Sequence, residues 1–393
     1  MTSIEAVEQA AAPVRSRRLW LDALIVVAIY AFLWPKVTRD MSDTLVPWLD
    51  HILVHGQIGA FAIPFSNYDP PYLYLMALFS PLVAVMSKVS VIKSLSIVAT
   101  LGLALAGRQL LQSAGHGQQP DAILRLLLLP SVVLNAPALG QCDAIWSAAC
   151  VMAVVCAIDR KAVPMLVWFG IGVAFKAQAI FLAPFVLLRL LQLRTPLRLW
   201  GLPVLVFALA MVPAALAGWP VADLATIYLR QAEWNPAFIS TAANPWAVVQ
   251  LLAPVAGTHW FWLGNVAAAV AGLAYVAAHR RRESDAADLL ALALLSACLM
   301  PFLLPKMHER FFFLADVLAF LLWIVRHDRR SMLVFFLVQG ASVLALIGMM
   351  LVLPIAPAVG CAMVLAAMIL LVGELRAKYP ATRVQLQRAS LPA

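Results

Sequence analysis

Residues 71–86 read PYLYLMALFSPLVAVM. The stretch is apolar enough to enter a bilayer yet shorter than the ~20 residues a spanning helix needs, and how it lies decides the topology of everything after it. If it crosses, every later connection changes side. If it lies as a re-entrant or interfacial helix on the outer face, the basic residues fall into one order.

That order is visible along the chain. Arg15, Arg17 and Arg18, then Arg108, Arg160 and Lys161, Arg189, Arg194 and Arg198, Arg280, Arg281 and Arg282, Arg326, Arg329 and Arg330, and Arg376 and Lys378 follow alternate apolar runs. An excess of Lys and Arg marks cytoplasmic connections. With 71–86 on the outer face, spans at 19–34, 90–107, 122–137, 143–158, 162–175, 178–192, 199–217, 259–278, 287–304, 309–325, 332–350 and 355–373 put all these clusters inside, which predicts twelve transmembrane helices. The expected layout is a cytoplasmic tail over 1–18, a membrane domain over 19–373 and a cytoplasmic tail over 374–393. Two long external loops interrupt the domain, at 35–89 and 218–258.

Composition supports the class. The 393 residues are 64% apolar and 12% charged, with a mean hydropathy of +0.91, whereas soluble domains are about half apolar. The apolar runs are too long and continuous for a β-barrel, whose strands alternate in short segments, so the fold class is an all-α polytopic membrane protein. The first apolar run lacks a small-residue cleavage site and reads as a retained span. The net charge of +9 is scattered over short connections, which fits orientation in a membrane and not nucleic acid. Five cysteines, at 142, 150, 156, 298 and 361, show no metal-ligand spacing and read as small packing residues. No GxxxxGK[ST] loop signals nucleoside triphosphate chemistry.

The polar residues gather on the expected outer face. In the first loop, DTLVPWLDHILVHG (43–56) reads as a helix from Asp43 to Gly56 whose Leu45, Trp48, Leu49, Ile52 and Leu53 share one face, turning Asp50, His51 and His55 to water on a membrane-surface helix. Asp40 stands just ahead, at the lipid boundary. A carboxylate there is partly desolvated, and such an acid suits general-base work. Asp40, Asp43 and, with Tyr68, Asp69 of SNYDPPYLY are the candidate acids, against a plain cap or loop-acid role.

Three more clusters lie on that side. NAPALGQCDAIW (135–146) carries Gln141 and Asp143, which face a cavity or, for Asp143, cap the next helix. AFKAQAIF (174–181) carries Lys176 and Gln178, where a lone lysine could merely snorkel. LLPKMHERFFF (303–313) gathers Lys306, His308, Glu309 and Arg310. A helix starting after Pro305 would set Lys306 and Arg310 one turn apart, with backbone N–H groups adding positive potential suited to a phosphate. Asp316, deeper in that span, needs a partner. The chemistry that uses such parts is group transfer from a lipid phosphate, with cations on the leaving phosphate and a carboxylate on the acceptor hydroxyl.

The ordered series RDMSDTLVPW, FSNYDPPYLYL, VIKSLSIV, LGQCDAIWSA, FKAQAIFLAPF, AANPW and PKMHERFFFLADV resembles bacterial GT-C integral-membrane glycosyltransferases, those related to the second mannosyltransferase of GPI-anchor synthesis. The resemblance runs from about residue 19 to 325. It implies a GT-C fold with interfacial helices in the first external loop. It also implies a polyprenyl-phosphate sugar donor carrying a hexose, such as mannose, and a glycan, glycolipid or protein acceptor glycosylated on the periplasmic or extracytoplasmic face of the cell inner (plasma) membrane. Its catalytic Asp maps to Asp40, although Met41 stands where relatives carry an aromatic, which keeps Asp43 as a second choice. Transfer inverts the anomeric carbon. Lys306, His308, Arg310 and Lys176 are the expected donor-phosphate ligands. Glu309, Gln178, Gln141, Asp143, Tyr68, Asp69 and Asn244 are expected to bind or orient substrate. No cofactor is required on this reading; several relatives use no metal, and DMSD is spaced by two instead of forming a DxD triplet, which leaves a divalent ion open. The alternative from another class is a lipid-linked saccharide flippase or other twelve-span transporter, whose charges would line a translocation path; a third is a noncatalytic scaffold of an envelope assembly complex.

Overall fold

A computed structural model of the chain describes residues 19–117, 119–234, 241–252 and 258–378. The expected cytoplasmic N-terminal tail, the end of the C-terminal tail and parts of the second loop lie outside the described residues. Within them there is no strand, as the unbroken apolar runs require, and the chain is an all-α polytopic membrane protein. Two compact units form, one from residues up to 238 with 279–281, the other from 239–278 with 282 onward.

The first unit contains α1 (Leu19–Leu33), α2 (Val46–His55), α3 (Pro70–Phe79), α4 (Lys88–Ser113), α5 (Pro120–Leu127), α6 (Pro130–Val133), α7 (Asp143–Ile158), α8 (Ala162–Phe175), α9 (Ala183–Gln192), α10 (Leu202–Ala217), α11 (Val221–Ala225) and α12 (Ile227–Trp234). The second contains α13 (Pro245–Leu252), α14 (Thr258–His279), α15 (Ala286–Leu303), α16 (Phe313–Arg326), α17 (Arg329–Met350) and α18 (Ile355–Lys378), the last residue of α14 counting with the first unit.

Boundaries follow local chemistry. The Ser87 hydroxyl accepts from Ser90 N at the start of α4, the Asp285 carboxylate from Asp288 N at α15, and the Asp328 carboxylate from Ser331 N at α17. Prolines open α3, α5 and α6, where a missing N–H costs nothing. Gly218 ends α10 in the left-handed region.

Among the described residues, six helices are long and apolar enough to cross a membrane, covering 88–113, 197–217, 259–279, 286–303, 329–350 and 355–378, and a seventh arises if α5 and the 130–138 helix, bent by 53°, act as one broken span. The other expected spans are shorter. α7 has 16 residues and α8 and α16 have 14 each; at ~1.5 Å per residue these reach about 21–24 Å, short of the ~30 Å hydrocarbon core. The expected span at 178–192 divides into a 3-10 turn over Ala177–Leu182 and α9. The deciding stretch 71–86 becomes α3 and a 3-10 turn over Ser80–Ala84.

In the first unit, α2 stops at Gly56, whose φ is +80°. Its apolar face does not lie open to lipid. Leu45, Trp48, Leu49 and Ile52 are buried in one core with Tyr72, Leu73 and Met76 of α3 and Val91, Ile92 and Leu95 of α4, while Leu53 stays outside. In the second unit, α17 packs against α18 and α16. Arg326 of α16 there joins the carboxylates of Asp288 (3.2 Å) and Glu374, and Lys378 reaches Asp285 (2.7 Å) and Asp288 (3.1 Å), so four charged side chains of α15, α16 and α18 close on one another beside the α15 cap.

Candidate functional site

Three of the first unit's polar clusters come together. Asp40 stands seven residues past the end of α1 and heads a π-helical turn over Met41–Leu45. It is half-buried, and its Oδ2 accepts from Gln141 Nε2. Gln141 Oε1 in turn accepts from the Tyr68 hydroxyl at 3.4 Å. An amide that spends its N–H on one partner and its oxygen on another cannot rotate freely, so Gln141 fixes the Asp40 carboxylate and the Tyr68 phenol together.

Behind them Asp143 and Lys176 form a buried ion pair. Lys176 Nζ donates to Asp143 Oδ1 at 2.6 Å, with the two side chains 8% and 1% exposed. Trp146 Nε1 donates to the same oxygen at 3.0 Å and Asn135 Nδ2 to the other at 2.7 Å. The carboxylate thereby has three donors, which offsets the cost of removing it from water. Asp143 opens α7 but does not cap it; the N-cap is Cys142, whose side chain makes no capping hydrogen bond. Lys176 does not snorkel either, because the chain between α8 and the following 3-10 turn is extended there (φ −164°, ψ 136°) and aims its stem inward. Its ammonium lies 5.2 Å from the Tyr68 ring centroid, a cation–π contact that links the pair to Gln141 and Asp40. Trp48 and Tyr72 pack on the same ring at 4.9 and 5.4 Å.

Asp69 is buried at the start of α3 and accepts from Gln231 Nε2 of α12 at 3.3 Å. Burial pushes its carboxyl well above the usual carboxylate value, against the opposing pull of Tyr228, Lys176 and Gln231. The Tyr228 hydroxyl is within reach of both the Asp69 carboxylate and the Val173 carbonyl. Asp43 is the opposite case. It is exposed, and bonds from the Ser42 hydroxyl (2.8 Å) and Arg39 Nε (3.1 Å) hold its carboxyl below the usual value. Gln178 is half-buried in the 3-10 turn after Lys176. Asp50 pairs with Lys88, and His51 stacks between His55 and Phe65 at 4.1 and 4.2 Å, away from Asp40's hydrogen-bonded partners.

The second unit arranges LLPKMHERFFF differently from the expectation. No helix begins after Pro305; Lys306 takes a left-handed conformation (φ +57°) and α16 starts only at Phe313. The reason is that this turn is held from outside. The N–H groups of Thr241 and Ala242 donate to Met307 O at 3.0 and 3.2 Å, Asn244 Nδ2 to the Pro301 and Leu304 carbonyls at 3.2 and 3.3 Å, and Trp246 Nε1 to Leu303 O at 2.8 Å. Carbonyls satisfied in this way need no helical continuation. Glu309 is buried and accepts from the Thr241 hydroxyl at 2.7 Å, with Glu309 N donating back to it at 3.2 Å. Lys306 Nζ lies 5.5 Å from the Phe261 ring centroid, and the exposed His308 meets Phe311 edge-on at 5.2 Å. Lys306 and Arg310 therefore do not share a helical first turn; α16 begins three residues beyond Arg310. Asp316 has the partner it needs in the Ser342 hydroxyl, at 2.9 Å.

Sequence reasoning passed over Asn135 and Trp146 as ligands of Asp143, Thr241 as the partner of Glu309, and the Tyr228–Gln231 grip on Asp69. The first two stand inside a stretch already singled out, where a buried acid demands donors. The others lie within 218–258, and their pairing depends on long-range folding and leaves no local signal. No family model matches the chain, and no curated protein matches it. The functional reading accordingly rests on the sequence motifs and on this geometry.

Proposed function

We propose that the protein is a membrane glycosyltransferase of GT-C type, with twelve spans, that moves a hexose from a polyprenyl-phosphate donor to an acceptor hydroxyl on the extracytoplasmic face. The observation that carries the reading is the Asp40–Gln141–Tyr68 chain of hydrogen bonds, which holds a half-buried carboxylate at the mouth of the first helix. A base must be oriented and reachable, and Asp40 is both. In the reaction the acceptor hydroxyl gives its proton to Asp40 while its oxygen attacks the anomeric carbon. The anomeric C–O bond breaks with its electron pair going to the phosphate oxygen, and polyprenyl phosphate leaves. One displacement inverts the anomeric centre and needs no covalent sugar intermediate.

Lys176 is already matched by Asp143, and its place in the reading is to keep the Tyr68 ring and Asp143 in register. Lys306, His308 and Arg310 enter as donor-phosphate ligands from the sequence resemblance alone, and Asn244 and Glu309 as the residues that shape their turn. The decisive test is Asp40→Asn in reconstituted protein with a radiolabelled polyprenyl-phosphate hexose. Transfer should disappear while insertion and folding persist; full activity in the variant removes Asp40 from the role.

A second reading is favoured by one feature, the buried Lys176–Asp143 pair amid apolar helices, which a lipid-linked saccharide flippase would also use. In vesicles, movement of a labelled lipid-linked sugar without a new glycosidic bond would select it.

A further inference from the structure

The motif VIKSLSIV (91–98) puts a single cation, Lys93, in the apolar second turn of α4. The residue is fully buried. Its stem does not reach water, and its ammonium finds no carboxylate among the described residues. Instead Nζ donates to three backbone carbonyls, Leu33 at 3.0 Å, Trp34 at 3.0 Å and Lys36 at 2.5 Å. These belong to the end of α1 and the turn beyond it, where a helix leaves carbonyls without intrahelical partners and its dipole favours a cation. One turn earlier on α4, Ser90 Oγ accepts from Trp34 Nε1 at 3.1 Å. The exit of α1 is thus fastened to α4 at two points.

What that exit leads to is Asp40, four residues past Lys36. The other end of the arrangement closes on the same lysine. Met41, next to Asp40, is fully buried, and it stands directly over Gly140, the neighbour of Gln141. A Cβ on Gly140 would fall 2.3 Å from Met41 Cε and 3.5 Å from Lys93 Cγ. The two residues that share the Asp40–Gln141 hydrogen bond are therefore flanked by Met41 and Gly140, which touch each other, and Gly140 lies against the Lys93 stem.

We infer that Lys93 is a positioning residue for Asp40: by clasping the Leu33, Trp34 and Lys36 carbonyls while its stem backs Gly140, it fixes where the Asp40–Gln141 pair stands. The catalytic consequence rests on the glycosyltransferase reading; the clasp itself does not. Three charge-assisted hydrogen bonds gathered on one buried ammonium hold a short irregular segment in a single conformation. Without them, three partly buried carbonyls lose their donor and the segment has reason to rearrange. A base displaced by about 1 Å loses up to about a hundredfold in rate while substrate binding is little affected.

The experiment uses the full chain in lipid nanodiscs, with Lys93→Met, Lys93→Gln and, as a control, Lys161→Met, an exposed lysine paired with Asp159. Two readouts are taken. Hydrogen exchange of the amides over residues 33–41 should rise about tenfold or more in Lys93→Met, less in Lys93→Gln, which keeps two N–H donors on a stem one atom shorter, and not at all in Lys161→Met. Transfer from a polyprenyl-phosphate hexose should fall about 10- to 100-fold in kcat for Lys93→Met with the donor KM within about threefold. Lys93→Gln should lie between it and the unaltered protein. Unchanged exchange in a folded variant overturns the clasp whatever the activity. Raised exchange with unchanged kcat, or a rise in KM alone, overturns the positioning role. Raised exchange in a protein that transfers no sugar even unaltered supports the clasp and defeats the glycosyltransferase reading instead. Should Lys93→Met fail to insert, Lys93→Gln carries both readouts with the same criteria.

Discussion

Two ion pairs of the first unit are made of the same chemistry and sit at opposite extremes. Arg39 and Asp43 are four residues apart, 3.1 Å from each other, with side chains 94% and 57% exposed; Lys176 and Asp143 are 33 residues apart, 2.6 Å from each other, and 8% and 1% exposed. In the first pair water solvates both charges whether or not they meet, so the pair adds little. In the second nothing but protein solvates them, and Asp143 is tolerable only because Asn135 and Trp146 complete its shell. A charged residue in an apolar chain thus tells little by its type, and its weight depends on what the fold supplies around it.

The comparison breaks most visibly if one partner of the buried pair is removed. Lys176→Met leaves Asp143 charged without the Lys176 ammonium, and should lower unfolding stability in detergent by about 3–5 kcal/mol. Adding Asp143→Asn to it should restore more than half of the loss, since the uncompensated charge then disappears. If single and double variants unfold alike, Asp143 is solvated and the contrast between the two pairs is empty.

A smaller effect is expected at Gly140, where the backbone that carries Gln141 towards Asp40 takes φ +66°. Gly140→Ala puts an L side chain into the left-handed region, which costs about 1–2 kcal/mol. Its Cβ would clash with the flexible end of Met41, while Lys93 Cγ and Ile92 Cγ2 lie at ordinary contact distance. Met41→Ala in the same chain should therefore leave most of the penalty in place, and a full recovery of the unfolding midpoint would show that the clash and not the backbone is the cause.

How much of this was legible in the sequence follows the same division. The helical, membrane-embedded class is written in run length and composition, and the α2 helix with its stop at Gly56 in local pattern. Asp40, Gln141, Tyr68, Asp143 and Lys176 stood out because polar groups in apolar surroundings are conspicuous. Their pairing did not, because it joins residues 33 to 101 positions apart. A cap for Asp143 and a snorkelling lysine at 176 stood as alternatives to the cavity-facing roles; an extended residue at the α8 exit turned Lys176 inward. Likewise the helix expected after Pro305 failed because Thr241, Asn244 and Trp246 take up the carbonyls of that turn, and a local pattern contains no sign of donors more than fifty residues away.

Asp69 sharpens the comparison through pH. Its folded-state value is raised by burial, so the folded protein binds its proton more tightly than the unfolded chain does. Stability from this group is complete below the ordinary carboxylate value of 3.8 and is lost as pH rises from there through the raised folded value. Asp69→Asn keeps the shape and removes the titration. The slope of unfolding free energy against pH above that starting point should become flatter in the variant, and an unchanged slope would assign the proton elsewhere.

The smallest effect belongs to the exposed pair. Arg39→Ala and Asp43→Asn should each leave the unfolding midpoint unchanged within error, because both side chains stand in water. Asp43→Asn should also leave sugar transfer intact. A carboxylate held below its usual value by Ser42 and Arg39 has less affinity for a proton and is the weaker base. It also lacks the oriented amide that Asp40 has in Gln141. Comparing Asp43→Asn with Asp40→Asn at equal expression therefore separates the two acids of RDMSD. Loss of transfer in both would mean that the RDMSD turn acts as one unit, with Arg39 and Ser42 needed to keep Asp40 in place; loss in Asp43→Asn alone would move the base three residues along the chain and leave the Gln141 hydrogen bond without a catalytic purpose.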